Sequence, residues 1–239
     1  MEKRLLLLSN STNVGEEYLC YARQEIQNFL GESVKKILFI PFAGVTASFN
    51  AYTKKVGQVF KDIGYDIEAI HLAENHHELI KKAEAIVIGG GNTFYLAHWL
   101  HKIGVLETIK ERVNNGTPYI GWSAGSNIAC PTIKTTNDMP IIEPLSFSGL
   151  NLVPFQINPH YTDAVIPNHH GETREIRIRE FLVVNPDVYV VGLKEGTMLK
   201  IEDSSMKLIG NQTMRLFKFR EPIVEYDSNS NLDFLLSDC

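Results

Sequence analysis

The sequence predicts an α/β fold with a doubly wound, mostly parallel sheet and helices on both of its faces. Short apolar runs alternate with longer amphipathic segments, which is the pattern of parallel strands joined by right-handed helical crossovers. One run leads directly into Gly-Trp-Ser-Ala-Gly at 121–125. The 239 residues, 44% of them hydrophobic, suffice to bury one such core. We therefore expect a single domain over 1–239, with 226–239 as a loosely packed tail.

The individual elements follow from the same patterns, in chain order. Strands are predicted where apolar residues are continuous, as in a sheet covered on both faces: residues 4–8, 36–40, 66–70, 85–88, 119–122 and 188–192, with further strands in the last third. Helices are predicted where apolar residues recur every three or four positions: residues 16–29, 49–63, 94–100, 106–115 and 172–181. No internal repeat or long Pro/Gly/Ser linker divides the chain.

Composition and charge argue against several classes of function. A net charge of -5 without basic runs gives no attraction for nucleic acid or an anionic membrane. The apolar run at 5–8 is too short for a membrane span or a signal-peptide core. Cys20, Cys130 and Cys239 are far apart and lack a C-x-x-C spacing, so no zinc or redox site is indicated. We expect a cytoplasmic protein without a cofactor, either a monomer or a weak homodimer.

The pentapeptide at 121–125 has the G-x-S-x-G pattern of a nucleophile elbow. In such an elbow a sharp turn between a strand and a helix raises the serine hydroxyl above the sheet, and small flanking residues avoid clashes with neighbouring backbone. Ser123 is therefore the candidate nucleophile. The competing interpretation is a tight turn in which Ser123 only caps the following helix.

A serine nucleophile needs a base that takes its proton and an acid that orients the base. His160 follows a short apolar run, where the end of a strand would bring it to the crevice above the sheet. Two carboxylates are candidates for the acid: Asp138, in a loop soon after the elbow, and Glu195, after another predicted strand. Both stay open, because Asp138 could cap a turn before Pro140 and Glu195 could be an exposed turn residue.

The other histidines lie in segments typical of solvated surface: His71, His76, His77, His98, His101, His169 and His170. The last two are adjacent, which is not the i, i+4 spacing of a helical zinc site, and no Cys, Asp or Glu cluster matches them. No metal site is predicted.

A glycine-rich segment, Gly89–Gly91, follows the predicted strand at 85–88. Glycine lets the backbone approach a reacting group closely, so Gly90 or Gly91 could supply one oxyanion-hole N–H and Ala124, after the nucleophile, the other. A phosphate-binding loop is the competing interpretation. It fits less well because the segment has neither G-x-G-x-x-G nor a Gly-Lys-Ser/Thr ending.

Longer blocks of sequence carry a family resemblance. The blocks include Leu-Ser-Asn-Ser at 8–11, Ile-Pro-Phe-Ala-Gly-Val at 40–45, and residues 89–94, 119–125, 129–133, 135–141, 156–160 and 171–175. Over residues 5–219 the chain resembles the peptidase E family, serine peptidases that act on dipeptides with an N-terminal aspartate. The resemblance implies a flavodoxin-like fold similar to class I glutamine amidotransferases, with serine where those enzymes carry cysteine.

The resemblance also implies roles for individual residues. Ser123 is the implied nucleophile, His160 the base and Asp138 the favoured acid, with Glu195 as its rival. In the mechanism that we expect from these roles, the oxyanion accepts hydrogen bonds from the N–H groups of Gly91 and Ala124.

Recognition of an N-terminal aspartate requires a cation for its side-chain carboxylate. Arg174 is the candidate, because it opens a predicted helix and a guanidinium can hold a carboxylate through two hydrogen bonds. The alternative is a surface pair with Glu172 or Glu175. Glu195, if it is not the acid, could receive the α-ammonium. Two other functions stay open: a cyanophycinase-like β-aspartyl peptidase, and a non-catalytic module that binds an acidic ligand.

Overall fold

A computed structural model describes residues 3–164 and 171–237, so His169, His170 and Cys239 lie outside the described residues. The strands are β1 Arg4–Leu8, β2 Lys36–Ile40, β3 Asp66–Ala69, β4 Ala85–Ile88, β5 Tyr119–Trp122, β6 Gln156–Tyr161, β7 Val190–Lys194, β8 Met198–Glu202, β9 Ser205–Ile209, β10 Met214–Phe217 and β11 Val224–Tyr226. The α-helices are α1 Arg23–Leu30, α2 Phe49–Asp62, α3 His76–Lys82, α4 Thr93–Lys102, α5 Leu106–Asn114, α6 Ala124–Asn127 and α7 Arg174–Val184. Short 3-10 turns span Cys20–Ala22, Ile70–Leu72 and Asp233–Leu236.

Within the described residues the strands form two sheets. The larger has the order β3-β2-β4-β5-β1-β8-β9, and its first five strands are parallel. The antiparallel hairpin of β8 and β9 completes it beside β1. The smaller sheet has the order β11-β10-β7-β6, with β6 and β7 parallel. The predicted fold class, a mixed α/β architecture with a large, mostly parallel sheet, is confirmed.

The larger sheet is covered on both faces, which explains its continuous apolar strands. Successive residues of a strand point to opposite faces, so in β1 Leu6 and Leu8 pack with α1 and α2 while Leu5 and Leu7 pack on the other side with α4 and α5. All four of these leucines are fully buried. The cluster that contains Leu5 and Leu7 also contains Ile157 of β6 and Val191 and Leu193 of β7, so the smaller sheet packs on that side.

The parallel register brings several loops to one edge of the large sheet. Leu8 pairs with Trp122, and Ile88 pairs with both Gly121 and Ile40. The segments that follow β1, β2, β4 and β5 therefore leave the sheet side by side. In open α/β sheets this edge is where ligands bind.

Two expectations about the elements are corrected. The helix expected at 16–29 is a 3-10 turn followed by α1, which begins only at Arg23. Residues 226–237 are not a loose tail: Leu232 and Leu235 are buried, and the Asp233 carboxylate accepts a hydrogen bond from the Met206 N–H at 2.8 Å. The C-terminal 3-10 turn thus packs against β9. None of the helices in the described ranges is long and apolar enough to cross a membrane.

Candidate active site

The elbow at Ser123 has the backbone geometry that its sequence predicts. Ser123 lies between β5 and α6 with φ 53° and ψ -111°, a strained conformation for a residue with a side chain. The flanking glycines are required by close contacts: a Cβ on Gly121 would lie 2.3 Å from the carbonyl oxygen of Gly125, and one on Gly125 would lie 2.1 Å from that of Ile88. The Ser123 N–H donates to the Leu8 carbonyl at 3.1 Å, which ties the turn to β1.

His160 lies within hydrogen-bond distance of the serine. Its Nε2 is 2.9 Å from Ser123 Oγ. The residue belongs to the end of β6, where the pairing with β7 becomes irregular and the backbone φ is +53°. This irregularity re-aims a side chain that would otherwise follow the strict alternation of the strand. The structure therefore brings together Ser123 and His160, the candidate nucleophile and the candidate base predicted from the sequence.

The carboxylate that contacts His160 is that of Glu195. Its Oε1 lies 2.6 Å from His160 Nδ1, and the two side chains are 49% and 39% exposed. Glu195 directly follows β7, the neighbour of β6 in the smaller sheet. Ser123, His160 and Glu195 thus form one continuous line of hydrogen-bonding groups. This contact corrects the preference for Asp138 as the residue that holds the histidine.

Asp138 is held elsewhere, at the start of α4. Its Oδ2 accepts hydrogen bonds from the Thr93 N–H at 2.7 Å and from the Thr136 hydroxyl at 3.0 Å. A carboxylate is favourable there because the first N–H groups of a helix have no partner within the helix. Asp138 therefore anchors its loop beside the glycine segment, and the side chain still lines the pocket around Ser123.

The glycine segment approaches the serine as expected. A Cβ on Gly90 would lie 3.0 Å from Ser123 Cβ, and Gly91 has φ +139°, with the Ala43 carbonyl oxygen 2.1 Å from where its Cβ would be. Among the described residues, the N–H groups of Gly91 and Ala124 donate to no acceptor. Both N–H groups are therefore available to a ligand oxygen.

These groups border a pocket of about 640 Å³. Its wall includes the glycine segment, Ser123, His160 and Asp138 on one part, and Tyr18 and Lys55 on another. The described residues contain no cluster of three or more His, Cys, Asp and Glu side chains that could hold a metal ion. Burial raises the pKa of the Cys130 thiol to about 12, so this cysteine is not a competing nucleophile.

Arg174 is the first residue of α7 and is half-buried. The surface pairs considered from the sequence are absent in the described structure: Glu172 lies 3.8 Å from Arg177, and Glu175 lies 3.0 Å from Arg179. Burial lowers the pKa of the Arg174 guanidinium, Arg177 lowers it further, and the charge of Asp138 partly opposes both effects. Arg174 is thus close enough to Asp138 to feel its charge.

Ser9, a residue not predicted from the sequence, holds the backbone of His160. Its fully buried hydroxyl accepts the His160 N–H at 2.9 Å and donates to the Leu193 carbonyl at 2.7 Å. It therefore joins the end of β1 to both β6 and β7. Ser9 could have been predicted from the Leu-Ser-Asn-Ser block at 8–11, because a polar residue directly after a buried strand lies at the ligand-binding edge of the sheet.

Tyr52 of α2 is a second residue near the site that was not predicted from the sequence. Its hydroxyl donates to the Gly90 carbonyl at 2.9 Å. In a trans peptide the C=O and the following N–H point in opposite directions, so this bond fixes the direction of the Gly91 N–H. Tyr52 thus acts on the predicted oxyanion hole from outside it.

The fold and this serine-centred site define a serine-type peptidase of the α/β class. The profile of peptidase family S51 matches residues 5–209, and the chain belongs to this family. It is 72% identical to Peptidase E of Nostoc sp. (strain PCC 7120 / SAG 25.82 / UTEX 2576) over 236 residues, 99% of this chain and 98% of the relative. It is 46% identical to Peptidase E of Salmonella newport (strain SL254) over 224 residues, 94% and 97% of the two chains.

Solved structures share the fold. A peptidase from an acI-B1 Actinobacterium matches with a TM-score of 0.70 at 18% identity, covering 96% of each chain. A protein of Listeria monocytogenes EGD-e matches with a TM-score of 0.66 at 23% identity, covering 89% of this chain and 100% of that one.

Proposed function

We propose that the protein hydrolyses dipeptides with an N-terminal aspartate through an acyl-enzyme on Ser123. The observation that carries the proposal is the line from Ser123 through His160 to Glu195, with distances of 2.9 and 2.6 Å, at the wall of a pocket of small-molecule size. Family membership supports peptide hydrolysis, and the relatives are named Peptidase E.

In the proposed mechanism the Ser123 hydroxyl attacks the first peptide carbonyl while His160 Nε2 takes its proton. Glu195 accepts a hydrogen bond from the His160 Nδ1–H, which holds the imidazole in the required tautomer and stabilises the imidazolium. The developing oxyanion accepts hydrogen bonds from the Gly91 and Ala124 N–H groups. His160 then protonates the leaving amine, and water activated by the same histidine releases aspartate.

The charges near the pocket fit the acyl part of such a substrate. Arg174 is a half-buried cation within electrostatic range of Asp138, and among the described residues it forms no ion pair with a carboxylate. In the proposal its guanidinium holds the side-chain carboxylate of the substrate aspartate. The Asp138 oxygen Oδ1, which accepts no hydrogen bond from the described residues, receives the α-ammonium.

The test is a panel of substrates with the wild type and Arg174→Ala: Asp-Leu, Asn-Leu, β-Asp-Leu and Asp-Leu-Leu, with released amino acid measured by chromatography. We expect selective cleavage of Asp-Leu, and a loss of about 2–5 kcal/mol of the preference over Asn-Leu in the variant. The matched control is Arg177→Ala, whose side chain is 60% exposed and faces Glu172. This control should keep the preference.

Other outcomes have definite meanings. Preference for β-Asp-Leu would replace the proposal with the cyanophycinase-like function. An unchanged Asp/Asn preference in Arg174→Ala would remove Arg174 from the recognition site. Absence of cleavage of every substrate would favour the acidic-ligand-binding module.

A further inference from the structure

The pocket around Ser123 is bordered by two differently charged parts of the molecule. Asp138 is anchored to α4, whose buried residues pack on one face of the large sheet. Lys55 lies on α2, whose buried residues pack on the other face. Ser123 follows β5, at the edge where the two faces meet. The wall of the pocket therefore carries an anion on the α4 side and a cation on the α2 side.

Lys55 is the one lysine or arginine among the described residues that line this pocket. Its ammonium lies 4.0 Å from the centre of the Tyr18 ring, and no carboxylate of the described residues is in ion-pair contact with it. Burial raises the pKa of Tyr18 well above its usual value, so the ring is a neutral phenol. A neutral ring attracts the ammonium through its π-face and does not cancel its charge.

The position of Lys55 is also fixed relative to the predicted oxyanion hole. The Tyr18 hydroxyl lies 3.2 Å from the Tyr52 hydroxyl, which in turn donates to the Gly90 carbonyl at 2.9 Å. The aromatic ring that holds the ammonium is thus connected to the peptide unit that ends in the Gly91 N–H. A substrate whose carbonyl oxygen binds the Gly91 N–H would therefore lie next to the pocket wall that carries Lys55.

An Asp-X dipeptide carries three charged groups, and the proposed function uses two of them. Its side-chain carboxylate and its α-ammonium belong to the acyl part, which Arg174 and Asp138 would hold. The third charge is the carboxylate of the leaving residue, only one residue, about 3.8 Å between Cα atoms, beyond the scissile bond. A longer peptide has an uncharged amide at that place.

We propose that Lys55 binds the C-terminal carboxylate of the leaving residue and so makes the site select dipeptides over longer peptides. The inference rests on the proposed function and adds the residue that binds the C-terminal end of the substrate. The four-carbon lysine side chain can follow different leaving residues while keeping its charge near their shared carboxylate. The site would then recognise the length of the substrate and tolerate variation of its second side chain.

The experiment is a cycle of two enzymes and two substrates: wild type and Lys55→Met, each with Asp-Leu and with Asp-Leu-amide. Asn-Leu is measured with both enzymes as a third substrate that reports recognition of the first residue. We expect the wild type to prefer the free carboxylate by about tenfold in kcat/KM, as for a charge-assisted contact at a partly solvated site. Lys55→Met should lose that preference because it slows Asp-Leu alone. Lys55→Arg should restore most of it, and added salt should weaken it in the wild type.

Lys54→Met is the matched control. Lys54 is the preceding residue of the same helix, is also exposed and does not line the pocket, because adjacent helical side chains point about 100° apart. This variant should keep the wild-type preference.

Three results would overturn the inference. Lys55→Met could keep the full preference, could slow both substrates equally, or could lose discrimination between Asp-Leu and Asn-Leu instead, which would assign Lys55 to the aspartate side chain. Wild-type enzyme that cleaves neither substrate would overturn the proposed function itself, and this inference with it. Cleavage of Asp-Leu by the wild type therefore separates the two failures.

Discussion

Replacing Glu195 with glutamine tests which carboxylate orients the base. Glu195 Oε1 lies 2.6 Å from His160 Nδ1, and Nε2 lies 2.9 Å from Ser123 Oγ. An ionised carboxylate can only accept hydrogen bonds, so it fixes the hydrogen on Nδ1 and leaves Nε2 to take the serine proton. Glutamine has nearly the same shape, but its amide nitrogen can face Nδ1 and it carries no charge to stabilise the imidazolium.

The size of the effect lies between two limits. An exposed ion pair contributes about 0.2–1 kcal/mol, whereas loss of the charge on a buried triad aspartate lowers kcat by about 10⁴-fold. The His160 and Glu195 side chains are 39% and 49% exposed, which excludes the buried limit. We expect the usual value for a hydrogen bond to a charged group, about 1.5–3 kcal/mol, or about 10- to 150-fold in kcat.

The assay is steady-state hydrolysis of Asp-Leu by Glu195→Gln and by the matched variant Asp138→Asn. Glu195→Gln should lower kcat with little change in KM, because it acts on the chemical step. Asp138→Asn should mainly raise KM, because the proposed role of Asp138 is to hold the substrate ammonium. Glu195 is not the carboxylate that orients His160 if Asp138→Asn lowers kcat as much as Glu195→Gln does, or if Glu195→Gln changes kcat by less than about threefold.

Three further predictions concern two residues that support this site and one ion pair of the smaller sheet. Ser9→Ala should cost about 1–3 kcal/mol of unfolding free energy in a denaturant titration, because the partly buried His160 N–H and the buried Leu193 carbonyl lose this hydroxyl as their partner. It should also lower kcat more than KM by misplacing His160; an effect on KM alone would speak against this role. Tyr52→Phe should lower kcat about tenfold in steady-state kinetics, because the Gly91 N–H loses the hydrogen bond that orients its peptide unit. An unchanged kcat would show that the glycine segment keeps its conformation without Tyr52. The hydrogen bond from Arg215 lowers the pKa of Glu225 below its ordinary value of 4.5, so the ionised Glu225 stabilises the folded protein above that pH and this stabilisation is lost as the pH falls. Glu225→Gln should therefore lower the unfolding free energy by less than about 1 kcal/mol at pH 7. An equal difference between variant and wild type at pH 3 would show that the charge of Glu225 is not the cause.

The sequence was most informative where strands are buried on both faces. The strands at 4–8, 36–40, 85–88 and 119–122 have the predicted bounds, because a continuous apolar run in a covered sheet ends where the chain reaches solvent. It was least informative for α3, a seven-residue helix of mostly polar residues that was not predicted. Such a short segment depends on its Asn75 cap and on packing of Ile80 rather than on periodicity.

The residues of the candidate site that could be predicted are those whose position depends on a single strand. Ser123 could be located because the elbow requires small residues at fixed positions, and His160 because it lies at the end of an apolar run. The carboxylate could not be chosen, since Asp138 and Glu195 each follow a plausible element. The choice depends on β7 lying beside β6 in a second sheet, a pairing that neither segment encodes by itself.

The role of Ser123 as nucleophile is tested by the rate of Asp-Leu hydrolysis in wild type and Ser123→Ala, with folding of the variant checked by thermal unfolding. We expect the wild type to release aspartate and the variant, folded as well as the wild type, to lose about 10³-fold or more in kcat. Turnover by Ser123→Ala within about tenfold of the wild type would rule out Ser123 as the nucleophile, because no acyl-enzyme can form on residue 123 without the serine hydroxyl.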